Sequence, residues 1–222
     1  MIVCVSEWTK ERLLEQRPQV DSGRIAVVPS GISEPPAGTS HAPNLDRPYF
    51  LTVSTIEPRK NYLRLLAAFR AARAAGLELR WRIVGGAGYA AEPIVSELQN
   101  EPGVELCGRV SEEQKERLYG GALFAVTPAL AEGFGFPPLE AMVRGVPVVC
   151  SSGSALDEVV GDAALRVAPS DERGWTETLL QLAANTEERR RLARAGLQRA
   201  RLFSWERCAA RYVQVYHRAL AA

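Results

Sequence analysis

The sequence predicts an α/β fold built on a doubly wound parallel sheet. Three observations carry that prediction. Short apolar runs alternate with amphipathic, helix-like segments along most of the chain. The runs lack the polar alternation of a half-exposed strand, as expected where helices cover both faces. The turns that leave them are rich in Gly, Pro and charge, and in open α/β sheets ligands bind beyond the carboxyl ends of the strands.

The chain opens with a strand-like run at 2–6, a helix at 7–16 and a second strand at 24–29. Two strands and a helix are too little for a free-standing core. Residues 33–48 are rich in Pro, Gly, Ser and Ala and read as a linker. Residues 1–45 are therefore expected to be the remnant of a preceding domain plus its linker. The main domain, 46–203, follows, with strands at 49–54, 81–85, 104–107, 123–127, 146–150 and 165–167. Between them lie helices at 61–75, 90–100, 111–120, 138–144 and 171–184, the first striped by Leu65, Leu66, Ala68 and Phe69. Ser111 and Gln114 have the spacing of a capping box. Repeated βα units imply right-handed crossovers and a parallel sheet. Helices at 187–202 and 204–220 close the chain, the last opened by Ser204, a good N-cap residue.

Composition narrows the function classes. The 222 residues are 46% hydrophobic, enough for a packed core, and the net charge of +1, from 27 Lys and Arg against 26 Asp and Glu, argues against a dedicated nucleic-acid binder. The basic cluster Glu188-Arg189-Arg190-Arg191 reads first as a solvated helix face, with membrane or acidic-partner contact as the alternative. Cys4, Cys107, Cys150 and Cys208 are widely separated and have no nearby His, so a structural zinc site is not expected. Cys107 and Cys150 lie in apolar runs and read as small buried hydrophobes, and reduced thiols fit a cytosolic setting. No apolar run approaches the ~20 residues of a membrane span, and the run at 2–5 is too short for a signal peptide.

The segment Glu132-Gly133-Phe134-Gly135-Phe136-Pro137-Pro138-Leu139-Glu140 is the most informative. Prolines fit the first turn of a helix, which places Glu132 on the preceding loop and Glu140 in that first turn. Free amides at such a helix start suit a phosphate, and flanking carboxylates suit the hydroxyls of the same ligand. A molecule with phosphates in the middle and hydroxylated rings at both ends is a nucleotide sugar. For Glu140 alone, simple compensation of the helix dipole is an equal reading. Glu57-Pro58-Arg59-Lys60-Asn61 places a fork-shaped and a compact cation at another strand exit, where they would hold a diphosphate. Gly85-Gly86-Ala87-Gly88 leaves a third strand and either approaches a phosphate or only lets the chain turn. All three turns are expected on one edge of the sheet.

These segments resemble the C-terminal, donor-binding half of a GT-B fold glycosyltransferase of retaining family 4, the glycosyl transferases group 1. Glu132 and Glu140 match the family's Glu-x7-Glu signature, Thr55-Ile56-Glu57-Pro58-Arg59-Lys60-Asn61 its donor-phosphate segment, and Gly145-Val146-Pro147-Val148-Val149 a further motif. The resemblance implies a Rossmann-like half with C-terminal helices. Lys60 and Arg59 would neutralise the leaving diphosphate. Glu140 would bind ribose, and Glu132 the donor sugar. The backbone of Gly133, Phe134 and Gly135 would meet sugar or phosphate, Arg109 and Val110 would edge the base, and Gly85 would line the nucleotide site. No metal is implied. The Thr-Ile-Glu-Pro-Arg-Lys-Asn form is similar to that of mannosyltransferases of polysaccharide assembly and points weakly to GDP-mannose as donor.

Two departures stand out. Ser54-Thr55 replaces a common Gly-Arg, so one phosphate-binding Arg is missing, and Asp157-Glu158 replaces a common Pro-Glu, with little consequence expected. The acceptor domain and its His are not represented, since neither His41 nor His217 has a matching context. The resemblance therefore implies a donor-binding half, inactive alone, whose saccharide or lipid-linked acceptor is bound by a missing N-terminal domain. The last helix, 204–222, would pack on that domain; without it Trp205, Tyr212, Val213 and Tyr216 would be exposed and could pair two copies. The expected location is cytoplasmic, with peripheral contact at the inner face of the membrane left open. The alternatives are a non-catalytic or split-enzyme module docking on a separate partner, and a sugar epimerase or phosphorylase of the same fold. No lysine has a context suited to the pyridoxal phosphate a phosphorylase needs.

Overall fold

The computed structural model describes residues 1–36 and 41–221. It begins with β1 (Ile2–Cys4), α1 (Glu7–Gln16) and β2 (Ile25–Val27). Then come β3 (Tyr49–Val53), α2 (Tyr62–Ala74), β4 (Arg80–Val84), α3 (Glu92–Gln99), β5 (Val104–Gly108) and α4 (Glu112–Gly121). The chain continues through β6 (Phe124–Thr127), α5 (Phe136–Met142), β7 (Val148–Ser151), α6 (Ala155–Val160) and β8 (Leu165–Val167). Helices α7 (Glu172–Ala184), α8 (Thr186–Ala200) and α9 (Trp205–Leu220) complete it.

β3 to β8 form one six-stranded sheet in the order β5-β4-β3-β6-β7-β8, with every neighbouring pair parallel. The chain winds outward through β3, β4 and β5, then returns to place β6 beside β3. That reversal is a topological switch point, the place where open α/β sheets form their ligand crevice, here beyond the carboxyl ends of β3 and β6. Alternate residues of β3 feed the two cores. Phe50 points to one face, where it stacks on Trp81 at 5.5 Å and on Phe124 at 5.6 Å beneath α2, α3 and α7. Tyr49 and Leu51 point to the other, among Leu139, Met142, Leu156 and Val160 of α5 and α6. A sheet covered on both sides explains why its strands read as continuous apolar runs.

β1 and β2 pair in parallel as a separate two-stranded unit. Cys208 and Val215 of α9 pack on Ala26 and Val28 there. The outer side of α9 leaves Trp205, Val213 and Tyr216 exposed, while Tyr212 is half-buried against this small core.

Several expectations need correction. Glu140 is the fifth residue of α5, one turn past its start, because α5 begins at Phe136 and its prolines fill the second and third positions. β2 is shorter than expected at both ends: Arg24 belongs to a 3-10 turn, Ser22–Arg24, capped by Asp21, and pairing with β1 ends at Val27. Cys107 is only half-buried, whereas Cys4 and Cys208 are buried with Cys150, whose thiol desolvation pushes up to about 12. α6 was not expected; six residues are too few to display a helical period. Asp157 accepts from the Gly153 N–H at 2.7 Å and Glu158 from the N–H groups of Glu7 and Trp8 at 2.8 and 2.6 Å, so the Asp-Glu pair ties two segments together. Part of the 33–48 linker, residues 37–40, lies outside the described residues; on its described part, Ala42 and Asn44 donate to Gly120 and Gly121 at the end of α4. The Ser111–Gln114 capping box and the Ser204 N-cap form as expected. Within the basic cluster, Arg190 and Arg191 pair with Glu187 and Glu188, and Arg189 turns back onto the α7 carbonyls of Leu182 and Ala183.

Candidate functional site

The crevice is built from three strand exits. β3 leaves into Ser54, Thr55 and Ile56, and Ile56 locks onto the β4 exit by donating to Gly86 at 2.9 Å and accepting from Gly88 at 2.9 Å. Pro58–Lys60 then make one 3-10 turn that ends on Asn61, in the left-handed region at φ 61. Asn tolerates that conformation better than most side chains. Its Nδ2 donates to Pro128 at 3.1 Å and to Pro169 at 2.8 Å, clamping the basic turn to the segments that follow β6 and β8. Leu130 N–H donates to the Arg59 carbonyl at 2.9 Å, and the buried Ser151 hydroxyl donates to Ala129.

This frame brings Arg59, Lys60 and Glu132 into contact. Lys60 Nζ lies 2.5 Å from Glu132 Oε1, and Arg59 reaches Glu132 Oε2 at 3.2 Å, Glu57 Oε1 at 2.8 Å and the Ala131 carbonyl at 2.8 Å. The Lys60 and Glu132 side chains are only 12% and 11% exposed, so their pairing is far less screened than that of a surface ion pair. Glu132 thus occupies, as an internal anion, the ground between two cations.

Beyond Glu132 the loop amides are free. The N–H groups of Gly133, Phe134, Gly135 and Phe136 have no acceptor among the described residues. Pro137 and Pro138 have no N–H, and that of Leu139 is spent on Gly135 at 3.4 Å. The donors come from the loop and its junction with α5 rather than from the body of a helix N-terminus. Glu140 lies apart from the basic pair. Its carboxylate accepts from Tyr119 at 3.0 Å and faces Lys115 at 3.8 Å.

The remaining expected site residues line the same edge. Arg109 is exposed, lies over Gly86 and has no ion pair among the described residues, while Val110 is half-buried against the core under α4 and α5. Gly85 has a packing role: its N–H already donates to Gly108 at 2.8 Å, and an added Cβ would stand 2.0 Å from the Ser54 carbonyl oxygen. Asn61, Tyr119 and Ser151 support the site without having been singled out from sequence. Asn61 had a local signal, an Asn between a basic pair and a helix; the partners of the other two are set by the fold. Among the described residues no group of three or more His, Cys, Asp or Glu is placed to share a metal ion, and no helix is long and apolar enough to cross a membrane.

Residues 38–199 match the profile of the family described as glycosyl transferases group 1. This chain belongs to that family. Among its relatives, the O-antigen chain mannosyltransferase B of Escherichia coli is 37% identical over 175 residues, spanning 76% of this chain and 45% of that protein. The MMP alpha-(1->4)-mannosyltransferase of Mycolicibacterium hassiacum is 39% identical over 134 residues, 59% of this chain and 33% of that protein. The chain thus spans less than half of either relative. The fold matches the sucrose-phosphate synthase of Thermosynechococcus elongatus with a TM-score of 0.80 at 24% identity, over 99% of this chain and 58% of that one. It also matches Anabaena HepE, solved with UDP and glucose, with a TM-score of 0.79 at 15% identity, over 100% and 63%. These likenesses establish the GT-B, Rossmann-like fold for this group 1 glycosyltransferase chain.

The Tyr119–Glu140 bond yields a stability prediction for this family member. Burial, reinforced by the Glu140 charge, pushes the Tyr119 hydroxyl well above its ordinary range, and burial likewise raises Tyr62 and Tyr49. A raised pKa keeps the folded state protonated while the unfolded chain ionises near pH 10, so stability is complete below that pH and falls above it. Tyr119→Phe should cost about 1 kcal/mol at neutral pH and flatten the alkaline loss. Urea titrations at neutral and alkaline pH measure both; an unchanged alkaline slope would contradict the assignment.

Proposed function

We propose that this chain is the donor-binding half of a retaining hexosyltransferase and holds a nucleoside-diphosphate sugar in the β3/β6 crevice. The observation that carries the reading is the Lys60–Glu132–Arg59 cluster beside the unpaired amides of Gly133 to Phe136. A diphosphate satisfies both halves of that arrangement, since it brings acceptors for the amides and negative charge for the cations. On its arrival Glu132 is released from the cations to accept hydrogen bonds from the donor sugar. Glu140, steadied by Tyr119, takes ribose hydroxyls, and Arg109 and Val110 border the base. When the bond from the anomeric carbon to the diphosphate oxygen breaks, charge grows on that oxygen, and Arg59 and Lys60 are already in position to stabilise it.

The names of the two mannosyltransferase relatives support mannose as the transferred sugar, and GDP-mannose as the donor to test first. The acceptor is a saccharide or lipid-linked saccharide approached from the cytoplasmic side and bound by a further domain. The seat for that domain is the unit of β1, α1, β2 and α9, whose small core is distinct from the six-stranded sheet and whose α9 carries exposed Trp205, Val213 and Tyr216. The same exposed face favours a second reading, a module that docks on a separately encoded partner.

Calorimetric titration of the chain with GDP, GMP, UDP and GDP-mannose tests the donor site. The expected result is saturable diphosphate binding, with GDP at least about tenfold tighter than GMP because the second phosphate engages charge-assisted donors. Failure of the folded chain to bind any nucleoside diphosphate would rule the reading out.

A further inference from the structure

The loop between Glu132 and α5 is held from outside by the N-terminal segment. Ser6 and Thr9 both reach the Gly133 carbonyl, with oxygen–oxygen distances of 2.8 and 2.9 Å, across more than a hundred residues of sequence. Ser6 is buried and also caps α1, accepting from the Thr9 N–H at 3.0 Å, and the two hydroxyls stand 2.8 Å apart. Each hydroxyl has one proton. Either both donate to Gly133, or one donates to the other and the second donates to Gly133; in each case the carbonyl is held. The Glu158 carboxylate receives the Glu7 and Trp8 N–H groups, which fixes where the hydroxyl pair stands.

The Gly133 carbonyl and the Phe134 N–H belong to one planar trans peptide and point in opposite directions. Holding the carbonyl toward α1 therefore aims the Phe134 N–H away from α1. Glycine at 133 offers little resistance to rotation of that peptide, so without the hydroxyls two orientations would compete. The Phe134 ring, packed against Phe136 and Phe203, anchors the side chain but not the peptide plane.

We propose that Ser6 and Thr9 are positioning residues that select the orientation of the Gly133–Phe134 peptide in which the Phe134 N–H is presented to the diphosphate or sugar of the donor. This rests on the donor-site reading above. It also makes the donor loop responsive to α1, an element outside the six-stranded sheet, so that movement of the β1–α1–β2 unit would change how well the donor is held.

The test uses the full chain, ¹⁵N NMR of the Phe134 amide, and titration with GDP and UDP. Thr9→Val keeps the Ser6 cap and the shape of the side chain, and Ser6→Ala/Thr9→Val removes both hydroxyls. Thr9→Val leaves Ser6 able to donate to the Gly133 carbonyl, so its Phe134 resonance should shift only modestly. In the free double variant that resonance should be displaced or exchange-broadened, and nucleotide affinity should fall about tenfold. Ser6→Ala/Thr9→Ser, which keeps one hydroxyl, should recover much of both. An unmoved Phe134 resonance and unchanged affinity in Thr9→Val and the double variant would overturn the proposal. If the parent chain binds neither nucleotide, the donor-site reading fails, and the Phe134 resonance of the free variants alone decides the positioning role. If the double variant does not fold, the single variants Ser6→Ala and Thr9→Val decide it, and an unmoved Phe134 resonance in both would overturn the proposal.

Discussion

Lys60→Ala should weaken nucleoside-diphosphate binding by about 3 kcal/mol, roughly a hundredfold, and calorimetry with GDP would read it directly. Two effects add. The ammonium that would face the diphosphate is lost, and Glu132, which it contacts at 2.5 Å, is left to Arg59 alone as a poorly compensated carboxylate in a largely closed site. Glu132→Gln separates them. It removes the internal competitor for both cations, so GDP binding should tighten severalfold. In Lys60→Ala/Glu132→Gln the loss attributable to Lys60 should be smaller than in Lys60→Ala, because the stranded carboxylate is gone; this departure from additivity is the signature of a shared network. A folded Lys60→Ala chain with affinity within about threefold of the parent would remove Lys60 from the diphosphate site.

Gly85→Ala is expected to destabilise the chain by about 4 kcal/mol, combining backbone strain with overpacking. Gly85 has φ 140, and a Cβ there would meet the Ser54 carbonyl oxygen at 2.0 Å and its carbon at 2.6 Å. Both obstacles are backbone, so relief would require the ends of β3 and β4 to part, although Ser54 N–H donates to Val84 at 2.9 Å at that point. Gly76→Ala is the control. Its φ is 96 but nothing lies within 4 Å of the added carbon, so it should cost only the conformational part, about 1 kcal/mol. Urea unfolding of both variants compares them, and equal losses would mean that the close approach at Gly85 relaxes easily.

The parallel sheet was legible because each strand is sandwiched by helices and therefore apolar along its length. Arg59, Lys60 and Glu132 were assigned to one edge because βα units place every strand exit on the same side. The contacts that complete the site were not legible. Tyr119 meets Glu140, and Ser6 and Thr9 meet Gly133, only after separate segments pack together. Local rules misplaced Glu140 because two adjacent prolines can occupy positions beyond the first residue of a helix. They also understated Asp157 and Glu158, whose partners are a loop amide and the start of α1.

The Glu132 bridge has a kinetic consequence. Arg59 and Lys60 are matched within the ligand-free cluster by Glu57 and Glu132, and the whole chain has a net charge of only +1. For a diphosphate entering the proposed site, the matched Arg59–Lys60 cluster therefore adds little long-range steering, which is left to exposed cations such as Arg109 on the same edge. On the proposed reading, the attraction of this pair would develop only once the ligand is inside and Glu132 has let go. The electrostatic contribution of Arg59 and Lys60 to affinity would then be expressed in how long a nucleotide stays rather than in how fast it comes.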